Sequence, residues 1–181
     1  MKKSVTFIAA AVVAGGFVFG MGALSGGTGT ALAQSSPKLI GSFRDWEAFT
    51  FTEKGRKICY MVSAPKSSQP KNVKRGDIYF MVTHRPAEKV RDEISVYAGY
   101  PYRKGVNATA RIGGASFELI TQGENAWTPD VATDKRMVRA MIKGKSMIVR
   151  GISQRGTTTT DRYSLLGFTA AHKAIDKACK R

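Results

Sequence analysis

From Phe43 onward the hydrophobic and polar positions alternate in steps of two, the period of a half-buried strand. Across 43–51, Asp45 and Glu47 fall on one side and Trp46, Ala48 and Thr50 on the other. Glu53-Lys54-Gly55 reads as a turn and 57–64 as the returning strand, with Ile58, Tyr60 and Val62 sharing one face and Cys59 and Met61 the other. Over 77–84, Ile78, Phe80 and Val82 oppose Tyr79, Met81 and Thr83, so this strand is expected to be central and covered on both sides. Arg85-Pro86 ends it, and strand character resumes over 93–100 through Ile94, Val96 and Ala98. The clearest hairpin joins 106–112 to 115–121 through Gly113-Gly114, residues that tolerate the positive φ of a tight turn. A last hairpin pairs 146–153 with 157–166 around Gln154-Arg155-Gly156. The stretches 35–42, 65–76 and 122–130 carry prolines or lack a period, and read as a polar lead-in, a long basic loop and a loop holding Trp127.

Two segments change period. Met137, Val138, Met141 and Ile142 recur at helical spacing within 132–143, with Gly144 at the expected C-terminal cap. A second helix is predicted from Thr169, as N-cap, to Cys179, with Ala171, Ala174, Ile175 and Ala178 as its inner stripe. About eight strands with short turns, one inserted helix and one C-terminal helix predict a mainly β fold, an antiparallel β-sandwich or flattened barrel. No βαβ alternation suggests a parallel nucleotide-binding sheet.

The chain opens differently. Met1-Lys2-Lys3 hold the only charges before Lys38, an apolar stretch follows from Val5 to Leu24, and a Gly/Ser/Thr-rich segment closes on Ala31-Leu32-Ala33-Gln34. That is the layout of a secretory signal peptide cleaved after Ala33. The apolar stretch is long enough to span a bilayer, so an uncleaved anchor is the alternative; Gly15, Gly16, Gly20 and Gly22 within it favour cleavage. The expected organisation is a signal peptide over 1–33, a flexible lead-in over 34–42 and a single β-rich domain over 43–181. The protein is then exported: periplasmic, outer-membrane-associated or secreted.

Export bears on the two cysteines, Cys59 and Cys179. An even count in an oxidising compartment favours a disulfide, closing a loop of about 120 residues and contributing about 4–5 kcal/mol in the chain-entropy picture. Two buried free thiols are the alternative. With only two cysteines and two histidines, His84 and His172, far apart along the chain, metal-ligand spacing is absent, and neither metal nor cofactor is expected.

Charge narrows the partners. Removing Lys2 and Lys3 from 29 basic residues, against 13 acidic ones, leaves a net +14 on the mature chain. In the cytosol such a charge would point to nucleic acid; outside it, the available anions are lipid phosphate, lipopolysaccharide, acidic polysaccharide and, for a released protein, host-cell surfaces. Three basic clusters are candidate contacts with an anionic surface: Lys66, Lys71, Lys74 and Arg75 in the proline-bearing loop; Arg103 and Lys104 beside Tyr100 and Tyr102; and Lys135, Arg136, Arg139 and Lys143 along the first helix. The bland reading of each is a solvated face. The other partner class is an envelope protein; no nucleic acid is expected.

Catalytic chemistry is sparse. Neither histidine stands near a nucleophile motif such as Gly-x-Ser-x-Gly; His84 reads as a strand-edge surface residue and His172 as exposed opposite Ile175. Asp45 with Glu47, and Asp92 with Glu93, could in principle form a glycosidase pair, but in so basic a chain they read as salt-bridge partners. No catalytic residue is assigned.

An ordered series of short motifs carries a resemblance. Phe43-Arg44-Asp45-Trp46 is followed by Cys59-Tyr60-Met61-Val62-Ser63, Arg75-Gly76-Asp77-Ile78-Tyr79-Phe80, Thr83-His84-Arg85-Pro86, Lys143-Gly144-Lys145, Arg155-Gly156-Thr157 and Gly167-Phe168-Thr169-Ala170-Ala171. Together these resemble the invasion-associated locus B family of alphaproteobacteria, over about 43–179. The resemblance implies a small exported envelope protein with no established catalytic residues. Founding members are linked to pathogen entry into host red cells. Many members carry extra cysteines, whereas Cys59 and Cys179 stand alone here.

Overall fold

The computed structural model describes residues 36–180; the expected signal peptide lies outside the described residues. Strands form where the period-two pattern runs: β1 (Lys38–Phe43), β2 (Trp46–Glu53), β3 (Arg56–Ser63), β4 (Ser67–Gln69), β5 (Tyr79–Arg85), β6 (Val90–Tyr97), β7 (Ala108–Ile112), β8 (Ala115–Gln122), β9 (Asn125–Trp127), β10 (Ser146–Ile152) and β11 (Thr158–Ser164). Helices α1 (Val131–Lys143) and α2 (Phe168–Ala178) complete the set. All eleven strands pair antiparallel, in the order β1-β2-β3-β5-β6-β9-β8-β7-β10-β11-β4.

Short β9 is the fold's corner. It pairs with β6 on one side and β8 on the other, so the first layer (β1, β2, β3, β5, β6) folds over the second (β8, β7, β10, β11, β4). Phe80 of the first layer meets Tyr163 of the second edge-on at 5.9 Å. Trp46, fully buried, packs edge-on against Phe80 and Phe168 and donates its Nε1–H to the Ser164 carbonyl at 3.0 Å. The ends of the order, β1 and β4, do not pair with each other, so this is a folded-over sandwich and not a closed barrel.

The two helices cover the rest of the first layer's inner face. Asp130 caps α1 by accepting from the Thr133 N–H, and Met137, Val138 and Met141 turn inward; Ile142, expected in that stripe, is 42 % exposed. Helix α2 lies against β1, β2 and β3, and Cys179 just past its end is bonded to Cys59 of β3, closing the long loop.

Three segments read as irregular form strands. Lys38–Phe43, largely within the expected lead-in, is the edge strand β1; its side chains are mostly exposed (Leu39 50 %), so no burial alternation betrayed it. The three-residue strands β4 and β9 are too short to print a period. Gly144 is the C-terminal cap of α1 as expected, whereas the start of α2 differs from expectation. Gly144 ends α1 with an extended backbone, and is needed for space: a Cβ there would lie 2.7 Å from Ile112 Cγ2. Helix α2 is capped by Gly167 rather than Thr169; φ is +91°, and a Cβ would meet the Phe43 carbonyl oxygen at 1.8 Å.

Candidate functional site

The expected basic residues divide into four fates. Arg75 is removed from the surface. Its guanidinium side chain is 6 % exposed and forks onto Asp161, 4 % exposed, with both N–O distances 2.7 Å. It also donates to the Ala98 carbonyl from Nε and Nη2 and lies over the Tyr100 ring at 4.9 Å. Arg75 therefore plugs the end of the sandwich and is not a surface contact. Lys66 stays exposed but is paired with Asp45.

The remaining loop residues converge. Lys74 and Arg155 line one depression of about 620 Å³ with Gly99, Tyr100 and Pro101. The Arg103 N–H donates to the Ile152 carbonyl at 2.8 Å, the Gln154 N–H donates to the Pro101 carbonyl at 2.9 Å, and the Arg103 guanidinium lies close to Gly156. Two clusters distant in sequence thus share one basic end, built by 71–75, 100–105 and 153–157. Lys71, Lys74, Arg103, Lys104 and Arg155 are exposed there, with no ion-pair partner among the described residues. Lys135, Arg136, Arg139 and Lys143 are exposed along α1 and stay separate: Lys143 precedes the start of β10, whereas Arg155 follows its end.

Both histidines overturn their expected exposure. His84 is 3 % exposed and His172 9 %. The Asp92 N–H donates to His84 Nδ1 at 3.1 Å, so the neutral ring carries its proton on Nε2, which donates to Asp176 Oδ1 at 3.0 Å. His172 Nε2–H donates to Asp92 Oδ1 at 2.7 Å, and its Nδ1 lies 3.4 Å from Asp176 Oδ2. Burial pushes His84 below its ordinary pKa, outweighing the pull of Asp92 and Asp176. Burial alone would raise Asp92; the hydrogen bond and charge of His172 instead hold it below the usual carboxylate value.

Separation along the chain was the reason to expect no metal, and the fold removes that reason: ligand atoms of His84, Asp92 and His172 come within 4.8 Å of one another. Proton accounting supplies a better one. A cation on His84 Nε2 would shift the ring proton to Nδ1, where it would face the Asp92 N–H, donor against donor. The residues fit a hydrogen-bonded clamp from α2 to β5 and β6, and do not fit a metal centre as arranged. Neither do they join Asp45 and Glu47: Asp45 pairs with Lys66, and Glu47 accepts from Ser42.

The outer face of the first layer is a groove of about 860 Å³ that the expected sites did not include. Phe49 stacks on Tyr60 at 5.2 Å, Phe51 meets Tyr60 edge-on at 6.0 Å, and Tyr79 stacks on Tyr97 at 4.9 Å. Met81 and Trp127 continue this floor, and Glu47, Glu53, Glu88 and Glu93 stand among its walls. Arg56 and Arg85 pair with Glu88, and Arg85 also with Glu93. Burial raises the Tyr60 and Tyr79 phenols, keeping them neutral. Part of the signal lay in the second apolar face of 77–84, which sequence alone assigns to a strand covered on both sides.

The sequence profile described as "Invasion associated locus B (IalB) protein" matches residues 46–176, more than half of the chain. The chain belongs to the invasion-associated locus B family. The crystal structure of invasion associated protein B from Bartonella henselae is similar in fold: TM-score 0.53, 13 % sequence identity, covering 80 % of this chain and 97 % of that one. At that identity the likeness establishes the fold alone. No curated protein sequence matches significantly. Family membership implies an exported, non-enzymatic protein of the cell envelope.

Proposed function

We propose that this protein docks on anionic surfaces of the envelope or of a host cell through the basic end formed by 71–75, 100–105 and 153–157. One observation carries the reading: Lys71, Lys74, Arg103, Lys104 and Arg155 gather there exposed, without ion-pair partners among the described residues. Each such side chain near a charged membrane adds about 1 kcal/mol. The attraction is screened beyond about 8 Å at physiological salt.

Vesicle binding tests it. The protein should bind vesicles containing anionic lipid and not purely zwitterionic ones, with affinity falling as salt rises. Replacing Lys71, Lys74, Arg103 and Lys104 by Gln should weaken binding by at least about tenfold. Lys66 and Arg75 are left intact, because each is already paired. Unchanged binding in that variant removes the basic end from the function.

A second reading, contact with an envelope protein, is favoured by the aromatic groove. Glu47 and Glu53 give it an acidic rim on a strongly cationic molecule, which suits a basic, extended segment of a partner protein.

A further inference from the structure

The sequence clusters omit three arginines that the fold collects. Strands β7, β10 and β11 are neighbours in the second layer, and their inward residues, such as Ala110, Val149 and Tyr163, fill the core. Outward stand Arg111 on β7, Arg150 on β10 and Arg162 on β11, all exposed. Register fixes their spacing. Arg111 and Arg162 are both partners of Ile148, one on each side, so two strand steps of roughly 10 Å in total separate them. Arg150 lies two residues further along β10, about 7 Å, between its partners Thr109 and Thr160.

Among the described residues no carboxylate forms an ion pair with these arginines, although exposed Glu118, opposite Thr109, shares their outward face. The only carboxylate on these three strands, Asp161, points inward onto Arg75. Glu118 on adjacent β8 accepts from Asn107 Nδ2 at 2.9 Å and pairs with no arginine. Three like charges on neighbouring strands repel, a cost the ladder bears without return from packing.

We infer that the outer face of β7, β10 and β11 binds an extended, negatively charged polysaccharide, carboxylated or sulfated, through Arg111, Arg150 and Arg162. Guanidinium forks match planar or tetrahedral oxyanions with two donors each. The intervening side chains, Thr109 and Thr160 with Ser67 and Gln69 on flanking β4, offer the hydroxyl and amide groups that a sugar chain hydrogen-bonds. A bilayer suits this face poorly: among exposed large apolar side chains only Ile120 belongs to the layer, on β8 at the junction with β9. The basic end presents its lysines on loops; this site presents arginines at fixed spacing on a rigid ladder. The inference rests on different side chains from the vesicle reading, and either can fail alone.

The test compares two variants that remove equal charge. One carries Arg111→Gln, Arg150→Gln and Arg162→Gln; the other Lys71→Gln, Lys74→Gln and Lys104→Gln. Binding of the native protein and both variants is measured on immobilised heparin and on polygalacturonate at physiological salt, with neutral dextran as blank. The arginine variant should lose about tenfold or more on at least one polyanion, the lysine variant less than about threefold. The heparin and polygalacturonate arms separate sulfate from carboxylate recognition. The site is overturned if the native protein binds neither polyanion, if the two variants lose equally, or if the lysine variant loses more. Should the arginine variant fail to fold, Arg→Lys at the same three positions keeps the charge and carries the test. Loss of the bidentate forks then predicts about a threefold decrease, and full retention overturns the site.

Discussion

Arg75 stands four residues from Lys71 and directly after Lys74, in a run of positive charge that looks uniform along the chain. Its neighbours are in water while Arg75 is buried against Asp161, 86 residues away in sequence. Removing one member of a buried pair leaves the other charge uncompensated, a loss of about 3–5 kcal/mol, whereas an exposed lysine alters stability by about 0.5 kcal/mol or less. Arg75→Ala should therefore lower the urea midpoint strongly and Lys74→Ala hardly at all. Equal, small shifts would mean that Asp161 finds water or another cation when Arg75 is gone. Alternation could assign Asp161 to a strand; only the neighbour on the next segment says whether a carboxylate there is a burden or a partner.

Helix α2 is fastened twice, by the Cys59–Cys179 bond just past its end and by two hydrogen bonds along its length, His172 donating to Asp92 of β6 and Asp176 accepting from His84 of β5. The second fastening depends on pH. Buried His84 resists protonation in the native state, while the unfolded chain takes up that proton near the ordinary value of 6.5. Below that pH the unfolded state binds more protons, so stability falls with acidification. Asp92, held below its ordinary 3.8, adds a second loss at lower pH; Asp134, raised by burial, works in the opposite sense there. The melting temperature should thus decline from pH 7 to pH 5, and His84→Gln, which cannot titrate, should flatten that decline. Parallel slopes for the two proteins would assign the acid sensitivity elsewhere. The expected helix is present, but its cap is Gly167 and His172, expected in solvent, is buried: Thr169 has the chemistry of a cap, and the closeness of Phe43 to residue 167 decided otherwise.

The sandwich leaves two broad surfaces of unlike chemistry. One side carries the aromatic groove with its glutamates, the other the Arg111, Arg150 and Arg162 array. Under the two proposals, a protein partner and an anionic chain would be met on opposite faces. If the groove takes a protein, a photo-reactive residue substituted at Tyr60 should trap one defined envelope partner in cells, and the same residue at Arg150 should not. A smear of products at Tyr60, or the same product from both faces, would remove the groove from the interaction.

Strand spacing, the inner and outer sides of most strands, both helices and the favoured cysteine pairing were legible because each depends on a residue and its near neighbours, where side-chain period and backbone geometry act. The edge strand β1 and three-residue β4 and β9 were not, since pairing with distant strands holds them and local pattern contributes little. Nor could local pattern reveal that two histidines 88 positions apart share one buried carboxylate cluster, or that arginines at 111, 150 and 162 stand side by side. A period of two tells a side chain which way to point; which other side chain it meets is set by the register between strands that the chain brings together from afar.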